Sequence, residues 1–154
     1  MLQVELLEYK IVRLEMVNLI DEAKDISISN GTESEGQFED EEDLAMVHLT
    51  EYVEMVDGYD MFHIELELEG FFHIEGMETR EIRKEAHAMC YDKLRTYAVQ
   101  IIKHLGVETG FAEFAMPQRF MDTDLIEFGE EPEDRRKNAM KFQMKKYKEE
   151  KSNE

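Results

Sequence analysis

The sequence predicts an α+β fold: a four-stranded antiparallel sheet with one long helix packed on one face and a further helix at the C-terminus. Two observations carry that expectation. From Phe62 to Glu75, FHIELELEGFFHIE, apolar and polar residues alternate with Gly70 as the only interruption. This is the period of a strand with one dry face and one wet, acidic face. After Gly76 the period changes, and Ile82, Ala86, Met89, Cys90, Leu94, Tyr97, Ala98, Ile101, Ile102 and Leu105 recur at three and four, as on one side of a helix.

The remaining elements follow in chain order. Leu2 to Ile20 is rich in branched apolar residues, but their parity slips from Leu2, Val4 and Leu6 to Leu7, Tyr9 and Ile11, then to Val12, Leu14 and Met16. By spacing alone the later half fits a helix as well as a strand. The stretch lacks a helix-capping signal, which favours a long strand whose bulges each reverse the inward parity. Lys24 to Asn30, KDISISN, alternates Ile26 and Ile28 with polar neighbours and ends at the turn dipeptide Asn30-Gly31, so a short second strand is expected. Thr32 to Asp43, TESEGQFEDEED, is acidic and has Phe38 as its one large apolar residue; an exposed loop is expected.

Leu44 to Val56 is apolar on both parities, as an inner strand would be. Asp57-Gly58 then turns the chain into the strand at Phe62, making an antiparallel hairpin. The helix is expected from Thr79 to Leu105, closed by His104 near its end and Gly106 just beyond. Its length of about 40 Å asks for more covering surface than one small sheet supplies. Val107 to Glu131 is irregular, with apolar spots at Phe111, Phe114, Met116-Pro117 and Phe120. Pro132 can open a second helix, with Glu133 and Asp134 at its positive end and Lys145, Lys146 and Lys148 at its negative end. Its apolar side is thin, which suits peripheral packing or a swap onto a neighbouring subunit. The chain therefore divides into a sheet-and-helix unit, residues 1–131, and a C-terminal amphipathic helix and tail, residues 132–154.

Composition bounds the function. There are 37 Asp and Glu against 18 Lys and Arg, a formal net charge of −19. Such a surface repels nucleic acid and anionic lipid and favours basic protein partners. Cys90 is the single cysteine, so no internal disulfide is possible. The N-terminal MLQVELLEYK lacks the basic and apolar regions of a signal peptide, and no segment approaches a membrane span. A cytoplasmic location is expected. The sequence has no phosphate-cradling glycine loop, no Gly-x-Ser-x-Gly and no dinucleotide fingerprint. Neither an enzyme nor a cofactor is expected.

The run FHIELELEGFFHIEG, followed by YDKLRTYAVQIIKHLG and by Met116-Pro117, resembles the SecB family of protein-export chaperones. Gly70, Phe71, Phe72, Ile74 and Gly76 match the signature that ends the family's long fourth strand. Tyr9, Lys10, Val12, Leu14 and Glu15 are similar to its first-strand pattern. The resemblance implies a homotetramer, a dimer of dimers with long helices sandwiched between two sheets. It implies an ATP-independent chaperone that holds unfolded clients in apolar grooves and passes them to the SecA motor, which docks partly on the acidic sheet face. SecB-like chains also serve toxin-antitoxin systems as dedicated chaperones. A protein that keeps the fold for interaction or structure, without client binding, is the alternative.

On this basis two residue sets are candidates. Glu65, Glu67, Glu69 and Glu75 form a carboxylate ladder with steps of about 7 Å along the strand, which Glu15 would join if the first strand lies alongside. It would either dock a basic partner or serve as a solubility face that blocks edge pairing. Phe71, Phe111, Phe114, Met116 and Phe120 would line a client groove, or else close onto the core. The pairs His63/Glu65 and His73/Glu75 look like metal ligands, but about 33 Å of strand separates the two histidines, so no metal site is expected. Asp40, Glu41, Glu42 and Asp43 lack the spacing of a calcium loop. Cys90 is read as a buried structural thiol, His87 as a surface residue and His104 as a helix C-terminal contact.

Overall fold

The computed structural model describes residues 1–20, 27–39, 42–77, 79–108, 121, 123 and 126. Four strands, β1 (Gln3–Asn18), β2 (Ile28–Glu39), β3 (Leu44–Met55) and β4 (Phe62–Glu75), precede one helix, α1 (Arg80–Glu108). The strands form one antiparallel sheet in the order β1-β4-β3-β2, and α1 packs on one face of it. The expected C-terminal helix at 132–148, and the domain boundary before it, lie outside the described residues.

The strand at Phe62 stands as its pattern dictates. Phe62, Ile64, Leu66, Leu68, Phe72 and Ile74 are all buried, facing Ala86, Cys90, Tyr91, Leu94, Ala98 and Ile102 of α1. Two glycines set how the helix meets this strand. A Cβ on Gly70 would lie 3.0 Å from Leu94 Cδ1 and 2.9 Å from the Phe72 ring, so the bare backbone makes a notch that Leu94 occupies. Gly76, with φ +88, takes the left-handed turn out of β4, and a Cβ there would meet the Met1 carbonyl oxygen at 2.6 Å.

β1 is a strand throughout and carries two bulges. Its pairing with β4 slips between Leu6 and Glu8 and again between Ile11 and Arg13, leaving Leu7 and Val12 as the extra residues. These are the two places where the apolar parity reverses, because each inserted residue swaps the faces of all that follow. α1 starts where the Thr79 hydroxyl accepts the Ile82 amide at 3.2 Å, an N-cap bond. It runs for 29 residues, about 43 Å. The expected stop at Gly106 does not occur, since the helix continues through Gly106 to Glu108. Met89, expected on the apolar side, is exposed.

The second strand differs most from expectation. β2 spans Ile28–Glu39 and pairs with β3 along its whole length, with Gly31 opposite Tyr52 and Phe38 opposite Ala45. Asn30-Gly31 is therefore mid-strand and not a turn, and Thr32 to Glu39 is not a loop. Between Ile28 and Phe38, which pack on the core, the face that β2 turns to the helix is made of small or polar residues, several bonded to helix side chains. Tyr91 donates its hydroxyl to Thr32 Oγ1 at 3.0 Å, and Ser34 Oγ and His87 Nε2 are 3.0 Å apart. His87 is accordingly buried, correcting its surface assignment.

Candidate functional site: the acidic outer face and the β1 edge

The sheet face turned away from α1 brings the expected carboxylates together. β1 lies beside β4, with Glu15 opposite Glu65, Arg13 opposite Glu67 and Lys10 opposite Glu69. Glu15, Glu65, Glu67, Glu69 and Glu75 thus share one face. Neighbouring cations interleave them. Arg13 reaches Glu15 at 2.7 Å and Glu65 at 3.1 Å, Lys10 reaches Glu69 at 3.5 Å, and His48 of β3 stands 3.7 Å from both Glu67 and Glu69. Glu75 lies at the exposed end, 4.0 Å from His73.

These contacts shift the titrating groups. Arg13 is raised, chiefly by the field of Glu65. The His48 contact holds the Glu69 carboxyl below its ordinary range, and His48 is itself raised by Glu69 and Glu67 against the pull of burial. Sequence reasoning missed Lys10 and Arg13 as counter-ions because they become neighbours of the ladder only through the β1 register. It also missed Glu33 and Glu35. Both fell in the segment read as loop, yet they line a shallow acidic concavity of about 520 Å³ with Ser34, His48, Thr50, Tyr52 and Glu67. Tyr52 donates its hydroxyl to Glu33 at 3.2 Å.

Phe71 lies on the outer face, as its parity requires, but its ring is covered. Leu44, Met46 and the bulged Leu7 pack around it in a small apolar island, leaving it 5% exposed. Phe111, Phe114, Met116 and Phe120 lie outside the described residues. Exposed apolar side chains lie at the turn near Val56, Tyr59 and Met61, at Leu19, and along the edge strand. There Ile11 is 49% and Leu14 43% exposed on the helix side, with Tyr9 beside them and the bulge residue Val12 45% exposed between them. The Tyr9 ring stacks on Tyr97 of α1 at 4.6 Å. The signal was present in the sequence, since Tyr9, Ile11 and Leu14 belong to the inward parity. The structure adds that β1 is an edge of the sheet, with Leu2, Val4, Leu6 and Met16 packed on the core and Ile11 and Leu14 between them left half-exposed.

His63 was expected in water and is instead buried. His73 is half-exposed. Among the described residues no group of three or more His, Cys, Asp or Glu is placed to hold a metal ion. Burial pushes the Cys90 thiol up to about 12, which leaves it protonated and unreactive at neutral pH. No helix among the described residues is long and apolar enough to cross a membrane.

The chain is a single antiparallel sheet carrying one long helix on one face, and this fold matches that of a SecB-like chaperone. Among solved structures the chain is similar to the SecB-like chaperone of Mycobacterium tuberculosis in complex with a ChAD peptide from the HigA1 antitoxin. The TM-score is 0.57 at 12% sequence identity, over 74% of this chain and 86% of that one. No protein-family model and no curated protein sequence matches the chain.

Proposed function

We propose that this chain is an ATP-independent holding chaperone that binds extended, unfolded polypeptide segments through the apolar strip of Tyr9, Ile11, Val12 and Leu14 and presents them to a receiver. The observation that carries the reading is that strip. Three large aliphatic side chains stand more than two-fifths exposed in succession on an edge strand, where an extended segment can lie alongside and bury its own apolar residues without any demand on sequence. The likeness in fold to a chaperone that holds a peptide supports it. The acidic outer face would receive a basic partner, such as a SecA-like motor, through Glu15, Glu65, Glu67, Glu69 and Glu75. The working assembly would be a homotetramer acting in the cytoplasm. Any share of Phe111, Phe114, Met116 and Phe120 in client binding belongs to the same proposal.

The antitoxin peptide in the similar structure favours a second, narrower reading, a chaperone dedicated to a toxin-antitoxin pair. Suppression of aggregation of a chemically denatured model protein tests the general reading. The wild type should protect at equimolar ratio, and Ile11→Gln with Leu14→Gln should lower apparent client affinity about five-fold while changing stability by less than about 0.5 kcal/mol, because both positions are already wet. Absence of protection overturns general holding, and protection confined to one antitoxin segment selects the dedicated chaperone. A change of molar mass by light scattering in the double variant, with protection intact, would make the strip a contact between subunits instead.

A further inference from the structure

His63 sits at the start of β4 with both ring nitrogens engaged. Nδ1 is 2.7 Å from the Tyr59 carbonyl oxygen in the β3–β4 turn, and Nε2 is 2.7 Å from Glu15 Oε1 on β1. A carbonyl oxygen and an ionised carboxylate can only accept, so both bonds exist together only while the ring and its partner hold a proton more than neutral imidazole and free carboxylate would. The Tyr59 ring lies flat on the imidazole, 4.0 Å away and 2° from parallel, an arrangement that further favours a cation.

We propose that His63 is a proton-dependent latch: doubly protonated, it ties the edge strand β1 through Glu15 to the β3–β4 turn, and loss of a proton as pH rises frees the C-terminal half of β1 from that tie.

The surroundings are weighted toward the closed form. From β1 come Glu15 and Arg13, which also bonds Glu15 at 2.7 Å and Glu65 at 3.1 Å. From β4 comes Glu65, and from β3 Glu54, directly opposite His63 in register. The turn contributes the Tyr59 phenol, itself raised first by desolvation and then by the fields of Glu15, Glu65 and Glu54. Three carboxylates therefore face one guanidinium and the imidazole. Burial pulls the His63 pKa down, yet the Tyr59 carbonyl and Glu15 outweigh it and hold it above the ordinary value, while the bond to His63 holds Glu15 below its own. When the ring loses its proton it keeps one N–H, enough for Glu15 or for the Tyr59 carbonyl but not for both. The bridge from β1 to the turn is then broken, while Arg13 still holds Glu15 and Glu65 and the β1–β4 backbone pairing remains. The residue opposite His63 on β1 is Val17, which offers no replacement.

The functional consequence rests on the chaperone reading: Ile11, Val12 and Leu14 lie within four residues of Glu15 on the same strand, so a looser β1 would present its apolar strip differently at high pH. The latch is tested without any client. In the full chain, nitrogen NMR of the imidazoles should show His63 protonated at both nitrogens at about pH 6.5 and titrating above the ordinary histidine value of about 6.5. Amide exchange at Met16 and Val17, corrected for the intrinsic rate, should lose roughly five- to ten-fold protection between about pH 6 and pH 8.5. In Glu15→Gln that pH dependence should vanish. A His63 that titrates at or below the ordinary value overturns the latch, as does protection that stays level in the wild type, and both readouts stand even if the variant fails to fold. Failure of client binding with a normal His63 titration would count against the chaperone reading alone.

Discussion

Arg95 of α1 and Glu51 of β3 form an ion pair, Nε to Oε1 at 2.8 Å, with the two side chains 5% and 0% exposed. Asn30 of β2 completes it, donating Nδ2 to Glu51 Oε2 at 2.9 Å and to the Tyr52 carbonyl at 2.8 Å, and accepting from the Arg95 guanidinium at 3.2 Å. One polar knot thus joins the helix to two strands inside the apolar layer. Paired buried charges gain little over apolar residues of similar volume, whereas a buried charge left alone is costly. Glu51→Leu or Arg95→Met alone should therefore cost about 3–5 kcal/mol, and the double variant should recover most of that loss. Urea unfolding at fixed protein concentration measures all three, and additive losses would show that the pair is not the unit.

The two glycines around the end of β4 make opposite demands. Gly76→Ala meets both a φ of +88 and the Met1 carbonyl oxygen, and should cost about 1–3 kcal/mol with no rescue from the helix. Gly70→Ala fills the notch that Leu94 uses and should cost a similar amount, about 1–3 kcal/mol. Because the obstruction there is a side chain, Gly70→Ala combined with Leu94→Ala should be clearly less than additive by chemical denaturation. Full additivity would mean that the helix does not sit in the notch.

These particular residues also explain what the sequence could and could not disclose. β4 and the two bulges of β1 were legible because their inward residues are large and apolar, so parity alone assigns them to a face. α1 was legible by its period, but its end was not: Gly106 is buried within a helix held by tertiary contacts, and packing there overrides the tendency of glycine to stop one. β2 was illegible for a different reason. Apart from Ile28 and Phe38 at its two ends, its inward residues Asn30, Thr32, Ser34 and Gly36 are small or polar and meet Arg95, Tyr91 and His87 through hydrogen bonds and close approach. A search for apolar alternation passes over such a strand, although small residues and Glu or Gln do alternate from Thr32 to Gln37. The outer carboxylates were found by their spacing, while their counter-ions depended on a register that no single strand reveals.

The same face should make stability depend on pH through His48. Its pKa is raised by Glu69 and Glu67, so its contribution is complete below the ordinary histidine value and is lost as pH rises through the folded value. Glu69, held low by His48, contributes above the ordinary carboxylate range and loses its share as pH falls through its depressed value. His87 acts in the opposite sense, since burial lowers it and its contribution is lost on the acid side. The informative quantity is therefore the difference between wild type and His48→Gln. That difference should be about 0.5–1 kcal/mol near pH 6 and should shrink toward zero near pH 8.5. Unfolding midpoints at the two pH values check it, and an equal difference at both would remove His48 from the titration.

Charge reversal on the outer face can separate docking from stability, provided the position is chosen by its partners. Glu65→Lys would set a second cation beside Arg13, which bonds Glu65 at 3.1 Å, and would disturb the Glu15 and His63 contacts as well. Glu67→Lys also faces Arg13, its register partner, but breaks no direct Arg13 ion pair; it loses the longer His48 contact at 3.7 Å and borders the concavity shared with Glu33 and Glu35. If this face receives a basic receiver, Glu67→Lys should weaken binding of a labelled deca-lysine peptide by about five-fold or more at low salt. The effect should fade as ionic strength rises, while aggregation suppression stays at the wild-type level. Loss of peptide binding together with client protection would point instead to a damaged sheet. Unchanged peptide binding at low salt would return the ladder to a surface that keeps the protein soluble and its edges unpaired.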